Sequence, residues 1–231
     1  MPMTGKRLNK PIVACLRGES LDAVLTAVRQ WPPRRVISPL IGALCRGDER
    51  VRWHAVSALG AVTAALAETE PEAARTVIRR LMWSLNDESG GIGWGAPEAL
   101  AEIMALHRGC AEEFGHILVA YMRPDGSYLA LPALQRGLMW GLGRLAGSRP
   151  DLLRKWDAPV YLQPYLDSGD PEVRGLAARA LGLLKETAAR KRIEALKGDT
   201  TPLTLYHEGN LTPVTAGSLA QAALERISGD A

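Results

Sequence analysis

Trp53, Trp94 and Trp140, set among Glu98, Glu102, Arg136, Arg144 and Arg179, are the side chains of this 231-residue sequence best suited to recognising a ligand. Indole faces contribute about 0.5–2 kcal/mol each to stacking or cation-π contacts. Charges of both signs would orient a zwitterionic or peptide-like ligand rather than a bare polyanion. Glu98 and Glu102 stand four apart, a spacing at which like charges on a helix repel, so Arg144 is the expected partner of Glu102. A carboxylate flanked by Trp94 and Trp140 could instead act as a general base. Glu98 is therefore the catalytic residue if the protein is an enzyme, and otherwise no catalytic residue is assigned. No Ser-His-Asp or Cys-His spacing argues for nucleophilic chemistry.

Directly before Trp94 runs the loop Asp87, Glu88, Ser89, Gly90, Gly91, Ile92, Gly93. Glycines at 90, 91, 93 and 95 carry an entropic cost that implies unusual dihedrals or close backbone approach. Such a loop could cradle an anion, but no Lys-Ser/Thr follows and its first two carboxylates would repel phosphate. A hydroxyl, amine, cation or peptide backbone suits it better, and the alternative is a spacer between repeats. His107, Cys110 and His116 are zinc-donor types, yet they read as structural residues of an interhelix turn, so no metal is assigned. His54 is placed beside the ligand face and His207 at a solvated hairpin tip. Cys15 and Cys45 read as small apolar helix residues.

The elements that must hold these residues come from an internal repeat. GDERVRWHAVSALG (47–60) recurs as GDPEVRGLAARALG (169–182), and the segments at 93–103 and 135–145 align between them when Gly60, Ala101, Gly143 and Gly182 are equivalent. The steps are near-equal, about 40 residues each. Every unit reads as two helices. The second helices carry apolar stripes such as Val51, Ala55, Leu59, Val62 and Leu66, and the opposite face holds Trp53, Trp94, Arg136 in one column and Ser57, Glu98, Trp140, Arg179 in the next. Leu203–Thr215 reads as a small hairpin about Glu208-Gly209-Asn210. The expected organisation is one domain over 1–231: a helical cap over 1–33, four repeats over 34–187, and a helix, hairpin and capping helix over 188–231.

Composition sets the class. With 47% hydrophobic and 23% charged residues the chain can bury a core, and a formal charge of +3 indicates neither a nucleic-acid coat nor a membrane-surface protein. Three widely spaced cysteines fit a reducing cytoplasm, and no segment is apolar for long enough to target or span a membrane.

The G-D-x-x-V-R opening of the second helix, with Asp48 and Arg52 in one copy and Asp170 and Arg174 in the other, resembles the HEAT repeat, in particular the short bacterial form related to phycobilisome-lyase proteins. The resemblance covers about residues 34–185. It implies an all-α fold, an α-solenoid of stacked HEAT-like helix pairs, first helices convex and second helices concave, with the hairpin as the only sheet. The Asp and Arg are expected to form an ion-pair ladder. A non-catalytic scaffold that binds another protein or peptide, without cofactor, is the function this reading favours. An aromatic-carboxylate-arginine groove is also similar to that of HEAT-like alkylpurine DNA glycosylases, with Glu98 as carboxylate and Arg136, Arg144 or Arg179 as cation, although no Asp stands at that position. The lyase resemblance would imply a tetrapyrrole (bilin) lyase or chaperone.

Overall fold

A computed structural model describes residues 5–86 and 91–229. Their contacts gather into two compact units, Met1–Cys110 with Tyr206–Leu211, and Ala111–Leu205 with Thr212–Ala231. The first unit holds α1 (Gly5–Leu16), α2 (Leu21–Arg29), α3 (Pro33–Ala43), α4 (Glu49–Thr69), α5 (Pro71–Ser84) and α6 (Ala96–Leu106). After α7 (Arg108–Ala120), the second unit holds α8 (Pro132–Ser148), α9 (Pro150–Lys155), α10 (Ala158–Leu162), α11 (Pro171–Leu183), α12 (Arg190–Ala195) and α13 (Ala216–Ser228). Between α12 and α13 lies an antiparallel pair, β1 (Pro202–His207) and β2 (Asn210–Thr215). No described helix is long and apolar enough to cross a membrane.

Local chemistry accounts for the boundaries. Proline opens α3, α5, α8, α9 and α11, where its fixed φ fits and its missing N–H is not needed. The repeated Gly-Asp is a capping signal: Asp48 accepts from the Val51 amide at 3.1 Å, and Asp170 from the Glu172 and Val173 amides. Within one helix Asp48 and Asp170 are not paired with Arg52 and Arg174 among the described residues. The ion pairs of Asp170 and Arg174 run between elements, as rungs of a ladder: Arg136 of α8 reaches Asp170 at 2.8 Å, and Arg174 reaches Asp199 at 2.6 Å. Thr215 and Ser218 form a capping box at α13. The hairpin turns on Glu208 and Gly209, both at positive φ (48° and 85°), as a two-residue type I′ turn demands.

Each unit is built around helices that are apolar or small on nearly every side. In the first, α4 packs against α2, α3, α5 and α6; in the second, α11 packs between α8 and α13. The repeated glycine marks where these neighbours touch. A methyl group on Gly60 of α4 would come within 2.5 Å of the Glu102 side chain on α6, and one on Gly182 of α11 within 2.5 Å of the Ala223 backbone on α13. The small residue read from the repeat is thus what lets one second helix lie against the next.

Arg174 and Asp199 give the second unit a pH signature. The Thr201 hydroxyl and amide, with the Arg174 guanidinium, hold the Asp199 carboxyl at about 2, below its ordinary 3.8. A folded-state value depressed in this way contributes stability above the ordinary value, which is lost as pH falls from about 4 toward 2. Melting temperatures taken across that window should fall more steeply for the wild type than for Asp199→Asn; parallel profiles would show that the pair contributes nothing.

Candidate functional site

In the first unit, the face expected to meet solvent is covered. Trp53 of α4 is 6% exposed and Ser57 is 5% exposed. Their cover is the hairpin tip: the Tyr206 ring stacks on Trp53 with centroids 4.6 Å apart and planes 10° apart, and the Tyr206 and Ser57 hydroxyls are 2.7 Å apart. Arg52 also lies over the Trp53 ring, its guanidinium carbon 5.1 Å from the ring centroid and its Nη1 3.7 Å from a Glu98 oxygen. Glu98 and Glu102, both on α6, are also buried, with Glu102 resting on Gly60. The expectation that these side chains line an open face is corrected: Trp53, Ser57, Glu98 and Glu102 belong to a packed polar seam. Tyr206 and Arg52 are the members that sequence reasoning missed.

His54 is corrected likewise. It is buried, and its Nδ1–H donates to the Leu16 carbonyl at 2.8 Å, tying α4 to the end of α1. His107 Nδ1 accepts from the Cys110 amide at 3.0 Å and so caps α7, the structural role expected. His116 is exposed and sits edge-on to Trp156. His207 lies exposed beside the turn, as expected. Cys45 falls just past α3 and is exposed, so it is not a helix residue.

Trp94 differs from Trp53. It does not belong to α6 but to the turn before it, because Gly95 at φ +72° ends the loop and Pro97 sits in the first helical turn. Trp94 is 42% exposed, and Ile92 and Trp83 are 45% and 57% exposed. Gly93, at φ +66°, brings this loop against the end of α5: a methyl group there would lie 2.6 Å from the Ser84 carbonyl oxygen. Trp83, Ile92 and Trp94 therefore flank one corner of the first unit. Trp83 was legible as an outlier, since the buried stripe of α5 runs Ala74, Val77, Ile78, Leu81 and skips it. Of the loop singled out from sequence, Asp87, Glu88, Ser89 and Gly90 lie outside the described residues, while Gly93 and Gly95 have left-handed dihedrals and closely approached backbone, as the unusual geometry expected there requires.

Gly95→Ala tests that geometry. A side chain at φ +72° is strained by roughly 1–2 kcal/mol, and its methyl would also meet the Leu44 Cβ at 2.9 Å. Chemical denaturation should show a loss of about 1–3 kcal/mol; an unchanged midpoint would contradict the left-handed cap.

In the second unit, Trp140 on α8 is 5% exposed, so it too is a packed residue and not the open ligand contact expected. Arg136 is exposed but engaged with Asp170 and, at 3.6 Å, Glu172. Arg144 and Arg179 are partly exposed. Burial, then the like charges of Arg226 and Arg144, lower the Arg179 pKa to about 10.

No protein-family model matches the chain. An uncharacterized protein of Archaeoglobus fulgidus is 42% identical over 66 residues, which is 29% of this chain and 33% of that protein, so the match spans a third of the curated relative's length. Among solved structures, a designed armadillo repeat protein, YIII(Dq.V1)4CPAF in complex with the peptide (KR)4, superposes with a TM-score of 0.53 at 20% identity, covering 94% of this chain and 98% of that one. An engineered protein from a structural genomics consortium gives 0.53 at 18% identity, covering 96% and 98%. A second designed armadillo repeat protein, YIII(Dq)4CqI, gives 0.51 at 20% identity over 94% and 98%. With its successive helix pairs and single hairpin, the chain has the fold of a helical-repeat protein, an all-α solenoid like that of the designed armadillo repeat proteins.

Proposed function

We propose that the chain is a non-catalytic binding module that takes an extended segment of another protein at the corner formed by Trp83, Ile92 and Trp94. The observation that carries this reading is the exposure of those three large apolar side chains together, on a chain that buries Trp53 and Trp140. Tryptophan is concentrated among the residues that dominate binding energy, and clustered exposed apolar surface marks interaction sites. A designed armadillo protein of this fold holds the peptide (KR)4, which supports a peptide as the ligand here. The repeated Gly-Asp caps support the short bacterial HEAT-like family, and a cytoplasmic location goes with this reading. Glu98, the base an alkylpurine glycosylase would use, is buried against Arg52, and that weighs toward binding without chemistry.

A displayed library of random linear peptides tests the proposal. The wild type should enrich a peptide consensus over several rounds, and the double variant Trp83→Ala/Trp94→Ala, folded to the same helical content, should not. Enrichment of the same consensus by the double variant would remove the corner from the site.

A further inference from the structure

Arg179 is a cation that the second unit leaves unmatched. It projects from α11, is only partly exposed, and makes no hydrogen bond or ion pair with any described residue. Its seat is made by Gly143 of α8, where a methyl group would come within 2.6 Å of Arg179 Nη1. The charges that act on it are guanidinium groups of its own sign, Arg144 on α8 and Arg226 on α13. Arg226 is partly exposed and steadied by a hydrogen bond from its Nη1 to the Ala222 carbonyl at 3.2 Å.

α11 packs on α8 and on α13, the helices that carry Arg144 and Arg226. A half-buried cation beside like charges is unfavourable unless an anion compensates it. A neutral side chain would fill the same space over Gly143 without that penalty. The planar guanidinium fork matches the geometry of carboxylates and phosphates, to which it can donate two parallel hydrogen bonds. We propose that Arg179, with Arg226 beside it, forms an oxyanion site that takes a carboxylate or phosphate group of a peptide. The chemistry of the site stands on the arginines of the second unit alone.

The test uses the full chain and three probes: inorganic phosphate by calorimetry, and fluorescein-labelled hexaglutamate and a hexapeptide with phosphoserine by anisotropy. Arg179→Met should weaken binding of the favoured peptide about tenfold or more, and Arg226→Gln several-fold. Arg50→Gln, a change at an exposed arginine of α4, should leave it unchanged. The Met variant should melt no lower than the wild type, because it removes an unmatched charge. The tighter of the two peptides identifies whether the site is built for carboxylate or phosphate. If the wild type binds none of the probes, if Arg179→Met binds them as the wild type does, or if Arg50→Gln weakens them equally, the site is overturned and any binding reflects general surface charge.

Discussion

Trp53→Ala should destabilise the protein by about 3–5 kcal/mol, the range for removing a buried tryptophan. The indole is 6% exposed, stacked on Tyr206 on one side and met by the Arg52 guanidinium. Its loss leaves a cavity between α4 and the hairpin tip and removes the surface on which Tyr206 rests. Denaturant unfolding of Trp53→Ala, Tyr206→Ala and the double variant separates the stack from the burial. An aromatic pair of this geometry should show a coupling of about 0.5–1.5 kcal/mol. Tyr206→Phe, which keeps the ring and deletes the hydroxyl paired with Ser57 at 2.7 Å, should lose about 1 kcal/mol. A loss under about 1 kcal/mol for Trp53→Ala would place the ring outside the packed seam.

Leu100→Ala should cost about 2–5 kcal/mol. Leu100 is fully buried on α6, a helix on which Ala96 to Ala105 are all buried. Helices packed on every side cannot collapse readily into a vacated volume, which pushes the effect toward the upper half of that range. The unfolding midpoint should fall with the slope unchanged, since the exposed area on unfolding is nearly the same. A negligible shift would contradict the placement of α6 in the core of the first unit.

The repeat was legible because its signals are local. Gly47-Asp48 and Gly169-Asp170 announce N-caps, the prolines announce helix starts, and Gly60, Gly143 and Gly182 recur where neighbouring helices touch. Even the hairpin could be read, since Glu208-Gly209 between alternating strands fixes a tight turn. The burial of the ligand face could not be read in the same way. Periodicity reports one stripe of one helix, whereas Trp53 and Ser57 are covered by a tyrosine that lies 149 residues beyond Ser57 in the chain. A sign was present nonetheless: Ser57, Gly60 and Ala64 are small on the side of α4 supposed to be open, and small residues allow close approach. Trp94 was misplaced for a different reason. Its column assumed an unbroken helix, whereas Gly95 caps α6, which begins at Ala96, two residues after Trp94. That displacement frees Trp94 from the packed seam and leaves it beside Trp83 and Ile92 on the surface.

The division of the tryptophans into packed and exposed is the central claim, and one calorimetric comparison tests it most directly. A peptide selected by the wild type is titrated into Trp94→Ala and into Trp53→Phe, with melting temperatures recorded for both. Trp94→Ala should melt like the wild type and bind about thirtyfold or more weakly, as expected for loss of an interface tryptophan. Trp53→Phe should bind with wild-type affinity and melt lower. Wild-type affinity in Trp94→Ala, or a loss of affinity confined to Trp53→Phe, would contradict the account and return the ligand to the seam beneath Tyr206.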